Sequence, residues 1–320
     1  MNGAPSSTWF TAPPDWEWLI ALYFFIGGLA GGSYFLAALI DLVGRDDDRP
    51  LARLGYYVAF PCVVLSGLVL TLDLGRPERF WHMMIESNTY RPMFKYWSPM
   101  SIGAWALLAF GLFSFLSFVG ALTEEPPLDE DAADHGRIRW PALDRVSAKW
   151  PALRTLRAPS APGRIIATIG ALLGLYIAGY TGVLLAVTNR PIWSDTPLIS
   201  MLFVVSATST SAALMIVLAH RSGWITPGLA NLHRMDSWVL ALELLVLIAV
   251  IVSLGDVVRA WLNAWGLMLL LVVVLGMILP LVALWRARQR RQLNVATAPV
   301  LVLIGGFLLR VVIIFSSQAV

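Results

Sequence analysis

Long apolar runs separated by short polar clusters set the plan of this chain. Eight of them lie near Trp18–Val43, Leu54–Leu72, Ser98–Ala121, Arg164–Val187, Pro197–Ala219, Ser237–Leu254, Ala260–Leu284 and Ala298–Phe315. At about 1.5 Å of rise per residue, each is long enough, or nearly so, to cross roughly 30 Å of hydrocarbon. A bilayer offers no water to unpaired backbone groups, so each run must close its hydrogen bonds internally, as a helix. The predicted fold is all-α: a polytopic membrane protein of eight transmembrane helices. Residues 1–17 form a short N-terminal segment and residues 18–320 the membrane domain. The one extended polar stretch, about 122–163, joins two four-helix halves. It starts acidic, from Glu124 to Asp134, and ends basic. Between its tryptophans, Ala142–Trp150 is predicted as a short helix lying on the membrane surface.

Composition agrees with this plan. With 58% hydrophobic and 13% charged residues and a mean hydropathy of +0.72, the chain is excluded from the soluble globular class. The net charge of +3 carries no implication of nucleic-acid binding, because the cations sit in particular loops. With the N-terminus outside, sixteen basic residues fall in inner loops, including Arg45, Arg49 and Arg53 after the first helix and Arg286 to Arg291 after the seventh. Six fall outside: Arg76, Arg79, Arg91, Lys95, Arg190 and Arg259. The bias orients both termini to the outside of a bacterial or archaeal cytoplasmic membrane. The first helix has no basic residue before it and no small-residue cleavage site after it, so it is read as an uncleaved span and not as a signal peptide.

Cofactor chemistry is narrowed by scarcity. The lone Cys62 excludes an intrachain disulfide and an iron–sulfur cluster held by this chain alone. The four histidines (His82, His135, His220 and His233) make no mid-membrane pair of axial ligands. Neither haem nor a zinc or di-iron site is expected, and no metal ligand is assigned.

The chemistry-bearing candidates are therefore intramembrane polar residues, which are costly in a bilayer and usually functional. Asp73 ends the second helix and opens a segment, "LDLGRPERFWHM", rich in arginine and aromatic rings. Glu243 lies about two turns into the predicted sixth helix, and Arg310 within the last. Asp236 and Glu243 are seven apart, on one helical face. Helix capping by Asp236 with a buried pair for Glu243 is one reading, and a proton path is the other. Tyr180 sits roughly two turns below the outer surface, where a phenol can donate to a quinone carbonyl. Asn189 and Arg190 then stop the fourth helix at Pro191. The hydroxyls of "SATSTS", Ser206 to Ser211, are expected mainly to bond back to their own or neighbouring helices, with a proton wire as the other reading. Gly27, Gly28, Gly31 and Gly32 make two overlapping GxxxG spacings, a signature of close helix packing.

Five blocks in order, "YFFIGGLAGGSYFLAALIDL", "LDLGRPERFWHM", "SPMSIGAWAL", "GYTGVLLAVTNRPIW" and "GGFLLRVVIIFSSQ", span nearly the whole chain. Together they resemble the integral membrane subunit of the polysulfide-reductase family, often called NrfD/PsrC-like. The resemblance implies eight helices in two four-helix bundles. It also implies a haem-free subunit, non-catalytic or carrying only the quinone site, in an oxidoreductase complex of anaerobic or alternative respiration. Such a subunit binds exchangeable menaquinone or ubiquinone near the outer face. It exchanges electrons with a docked ferredoxin-like iron–sulfur subunit and, through that, with a catalytic subunit, often a molybdopterin enzyme. Carried over residue by residue, Tyr180 matches a quinone-contacting tyrosine, and Asp73 an acid of the same pocket. Tyr23 stands where some members have a quinone-contacting histidine, and Arg234 matches an arginine of the polar interior. Two other readings are a structural anchor without quinone contact and a secondary transporter. The transporter reading lacks mid-helix breaks and an inverted repeat.

Overall fold

The computed structural model describes residues 16–123, 151–222, 227–290 and 297–318. The surface helix expected at Ala142–Trp150 lies outside these, as do residues 1–15 of the N-terminal segment. Among the described residues, eight membrane-length helices make up the bundle: α1 (Trp18–Val43), α2 (Arg49–Leu72), α3 (Pro99–Leu122), α4 (Ala161–Ala186), α5 (Leu198–Arg221), α6 (Pro227–Ser253), α7 and α8 (Thr297–Gln318). The seventh is α-helical over Ala264–Val272 and Leu279–Arg290, around a π-helical turn at Val273–Ile278. The all-α, eight-span fold expected from the sequence is the fold observed.

Local chemistry explains the starts. Ser98 caps α3 by accepting the Ser101 N–H, with Pro99 at the first helical position, where its missing donor costs nothing. Ser160 does the same for α4 by accepting the Gly163 N–H at 3.0 Å. Asn263 caps α7 through the Trp265 N–H at 2.9 Å. The predicted start of that span at Ala260 is corrected, because Gly255–Trp261 forms a separate 3-10 turn. The π-turn precedes Pro280, which has no N–H to offer the Gly276 carbonyl one turn back. There Gly276 packs directly on the Gly305 backbone of α8.

The sixth span needs the largest correction. Its predicted start at Ser237 follows the polar residues His233, Arg234 and Asp236, which end the apolar run. The helix begins ten residues earlier, at Pro227, because His233 and Asp236 find partners on α5 without interrupting the backbone ladder, and Arg234 points to the exposed side. Asp236 is therefore an interior residue and caps nothing. Glu243 lies more than four turns in, near the middle of the helix, and not the two turns that the sequence predicts.

Helix α1 is the axis of the bundle, packed against α2, α4, α5 and α8. The first half, α1–α4, meets the second, α5–α8, where α1 and α4 pack on α5 and α1 on α8. The glycines of α1 permit this approach. A Cβ at Gly31 would strike the Gly174 carbonyl of α4, and one at Gly32 the Ala207 carbonyl of α5. Gln318 donates to the Trp16 carbonyl at 3.0 Å, so both described ends of the chain lie on one side of the bundle, the terminal face. At the opposite end, Arg157 clasps Asp41 with two bonds of 2.8 and 2.7 Å, both side chains buried.

Candidate functional site

Two groups of polar residues stand out, one beneath the terminal face and one deeper along the seam between the halves. The shallow group is aromatic. Tyr180, on α4 about 9 Å below the helix end by rise per residue, is only 4% exposed and donates to the Pro99 carbonyl at 2.9 Å. Gly103 on α3 makes its seat, since any side chain there would meet the Tyr180 ring. Tyr176 stacks on Tyr180 with centroids 5.7 Å apart, and buried Tyr23 of α1 lies close enough to interact electrostatically. Asp73 follows α2 at the terminal face, half-buried. Partial burial, and then the charge of Glu17, hold its carboxyl above the ordinary carboxylate range.

The loops over this group are built structures. Between α2 and α3, Met93 N–H bonds the Met84 carbonyl at 2.8 Å, Glu86 N–H bonds the Arg91 carbonyl at 2.9 Å, and Trp105 Nε1 bonds the Met93 carbonyl at 3.0 Å. This tongue leaves Phe80, Tyr90, Phe94, Tyr96 and Trp97 exposed. Between α4 and α5, Trp193 is fully buried, stacks on Trp16 at 4.9 Å and donates to the Ile313 carbonyl at 2.8 Å. Its neighbour Ile192 holds φ at 69°, a costly region for a β-branched residue, fixed by a 2.8 Å bond from its N–H to Asp195.

The deep group is a line of charge inside the apolar core. Arg310 of α8 is 1% exposed. Its Nη1 donates to the Gly306 carbonyl at 2.7 Å and Ser206 Oγ at 3.2 Å, and its Nε to the Phe24 carbonyl of α1 at 3.3 Å. The guanidinium lies over the Phe203 and Phe25 rings at 5.3 and 5.6 Å. Gly28 leaves room for it, since a Cβ there would sit 3.0 Å from Nη2. Glu243 of α6, 3% exposed, lies beside Ser206 and Ser209 of α5, within electrostatic reach of the Arg310 charge. Ser209 Oγ reaches Asp236 Oδ1 at 3.4 Å. Asp236 is fully buried, and its Oδ2 has no hydrogen-bond partner among the described residues. The sequence Asp236–Ser209–Glu243–Ser206–Arg310 is thus an alternation of ionisable groups and hydroxyls. It runs from the far third of α6 to the Phe24 carbonyl, one residue from Tyr23.

The sequence-predicted residues fall into distinct places. Tyr23 and Tyr180 lie within electrostatic reach of each other, Asp73 follows α2 at the terminal face, and Glu243 and Arg310 lie within electrostatic reach of each other in the interior. Asn189 is exposed in the turn after α4. Arg234 is exposed near the start of α6, so its expected interior position is corrected: the interior guanidinium belongs to Arg310. Sequence reasoning does not single out Ser206 and Ser209 from within "SATSTS". Their signal is the spacing of three, which puts both on one face of α5, whereas Thr208 and Thr210 bond back to their own helix.

Comparison with known proteins places the chain in context. Residues 11–320 match the family model described as "Polysulphide reductase, NrfD". A polysulfide reductase chain from Wolinella succinogenes is 27% identical over 95% of this chain and 94% of its own length. Protein NrfD of Escherichia coli (strain K12) is 28% identical over 95% of both chains. A selenate reductase subunit from Mesobacillus selenatarsenatis is 26% identical over 33% of this chain and 22% of its own length.

Proposed function

Because this chain belongs to the NrfD polysulphide reductase family, we propose that it is the quinone-interacting membrane subunit of an oxidoreductase complex. It exchanges electrons between membrane quinone and an iron–sulfur subunit docked on the terminal face, which faces the outside. The relatives' names, as parts of polysulfide and selenate reductases, support an assembly with a catalytic subunit. The carrying observation is the buried line from Asp236 to Arg310, which ends beneath the Tyr23–Tyr180 pair.

Quinone reduction consumes two electrons and two protons, and quinol oxidation releases them. A menaquinone or ubiquinone supplies the redox chemistry, and the protein supplies position and proton exchange. The aromatic faces of Tyr176, Tyr180 and Tyr23 suit a flat ring. The Tyr180 hydroxyl already donates to the Pro99 carbonyl, so it serves a quinone carbonyl by exchanging one acceptor for another, at little net cost. Asp73, with its carboxyl pushed up, holds a proton more readily than an ordinary aspartate and is placed to exchange it with water or quinone oxygen. Deeper, Ser206 accepts from Arg310 and lies beside Glu243, while Ser209 donates to Asp236 and also lies beside Glu243. The Arg310 guanidinium keeps its charge and orients Ser206, so the groups able to exchange a proton here are the Glu243 and Asp236 carboxyls, with the Ser209 hydroxyl between them.

The exposed tongue between α2 and α3 is the docking surface for the ferredoxin-like partner. Its aromatic rings and Arg79 and Arg91 are residue types favoured at interfaces. The anchor reading has one observation in its favour, the structural bond from Tyr180 to Pro99. The intact complex decides between the two. Under the quinone reading, Asp73→Asn and Tyr180→Phe slow quinol-linked turnover but leave turnover with an artificial donor or acceptor at the catalytic subunit intact. Equal activity in both assays would leave the anchor reading standing.

A further inference from the structure

The polar line has an end away from the terminal face. His220 lies in the last turn of α5 and His233 in the second turn of α6, and their Nε2 atoms are 3.2 Å apart. The rings are tilted by 54° with centroids 5.5 Å apart, so the two nitrogens, and not the ring faces, meet. Both side chains are half-buried. His233 is three residues before Asp236, about 4.5 Å along the same side of α6. There the fully buried Oδ2 of Asp236 has no hydrogen-bond partner among the described residues.

We propose that His220 and His233 are the proton entrance of the buried relay, and that the same two nitrogens bind a Zn2+-class cation that closes it. This rests on the relay reading above. In the neutral pair one Nε2 carries a proton and the other accepts it. A proton arriving from water on one ring lets the pair release another towards the Asp236 carboxyl, and the rings return to their starting count. Two such transfers supply the two protons taken up when a quinone accepts two electrons from the iron–sulfur partner. Quinol oxidation runs the same steps backwards. The geometry also suits a metal. Tetrahedral Zn2+ with Zn–N bonds of about 2.0–2.1 Å holds two imidazole nitrogens roughly 3.3 Å apart, with two positions left for water. Two ligands from different helices would pin α5 to α6 and leave neither lone pair for a proton.

The test uses the intact complex in liposomes, with Zn2+ itself as the probe. Micromolar Zn2+ should inhibit quinol-linked turnover of the unaltered complex and spare turnover with the artificial donor. His220→Gln and His233→Gln, which keep a hydrogen-bonding side chain, should slow quinol-linked turnover and shift the inhibiting Zn2+ concentration upward by about tenfold or more. Equilibrium dialysis should show one fewer bound Zn2+ in each variant. Unchanged zinc sensitivity or unchanged zinc binding in both variants would overturn the proposal. Glu243→Gln separates the two levels. If it slows turnover while the histidine variants behave as the unaltered complex, the relay stands and the entrance is wrong. If Glu243→Gln turns over normally, the relay itself fails and takes the entrance with it.

Discussion

At the scale of single residues, the site depends on groups that do two things at once. Tyr180 holds α3 to α4 through Pro99 and also stacks on Tyr176. Tyr180→Phe should destabilise the protein by about 0.5–1.5 kcal/mol, seen as a lower Tm, and weaken quinone binding roughly 2- to 10-fold. Asp73 offers a pH test. Its carboxyl is raised by partial burial and by Glu17, so it is protonated to a higher pH than an ordinary aspartate. The folded state then holds a proton that the unfolded chain would release, so the stability Asp73 contributes is lost as pH rises through its raised pKa. Glu17→Gln removes the second cause, and the acidic limb of the quinol-linked rate profile should move to lower pH. An unmoved limb would detach Asp73 from the rate. Arg310 is more demanding. Replacing it with Met leaves the buried Ser206 Oγ and Phe24 carbonyl without the donor that Arg310 supplies, at a cost of roughly 1–3 kcal/mol, read as a lower Tm. Tyr180, Asp73, Glu243 and Arg310 are legible in the sequence as isolated polar positions in apolar runs. Their grouping is not: only packing reveals that α1, α5, α6 and α8 bring Phe24, Ser206, Glu243 and Arg310 together.

At the scale of elements, hydropathy locates every membrane-length helix among the described residues but misjudges where α6 and α7 begin. Apolarity reports what the side chains meet, whereas a helix begins where backbone bonding begins. His233 and Asp236 are polar and still helical because α5 presents His220 and Ser209 to them. The GxxxG reading of α1 is legible, since glycine spacing maps directly onto close approach. Its extra use, leaving space at Gly28 for a guanidinium from α8, is not. Gly103 extends the same logic to α3. Gly103→Ala should displace the Tyr180 ring, cost about 1–3 kcal/mol, and reproduce the quinol-linked defect of Tyr180→Phe. On the tongue between α2 and α3, Arg79→Glu or Arg91→Glu should weaken recovery of the iron–sulfur subunit about tenfold, near 1.4 kcal/mol, without altering helix content. Normal recovery from both, with partner crosslinks mapping to residues 122–163, would move the docking surface to the other side.

For the whole molecule, the bond from Gln318 to Trp16 places both described ends on one face, and the proposal that this face is the outer one rests on the distribution of arginines. A reporter fused to the C-terminus should read as external; an internal reading would invert the docking and quinone assignments together. The central claim is that quinone binds beneath the terminal face, at the end of a proton line that begins near the other side. A photoreactive quinone, crosslinked in the intact complex and mapped by mass spectrometry, tests it most directly. The account predicts labelling of Tyr23, of Asp73 or its neighbours, and of the Tyr176–Tyr180 turn, suppressed by excess natural quinone. Competable labelling confined to the His220–His233 end, or none anywhere on this chain, would contradict it.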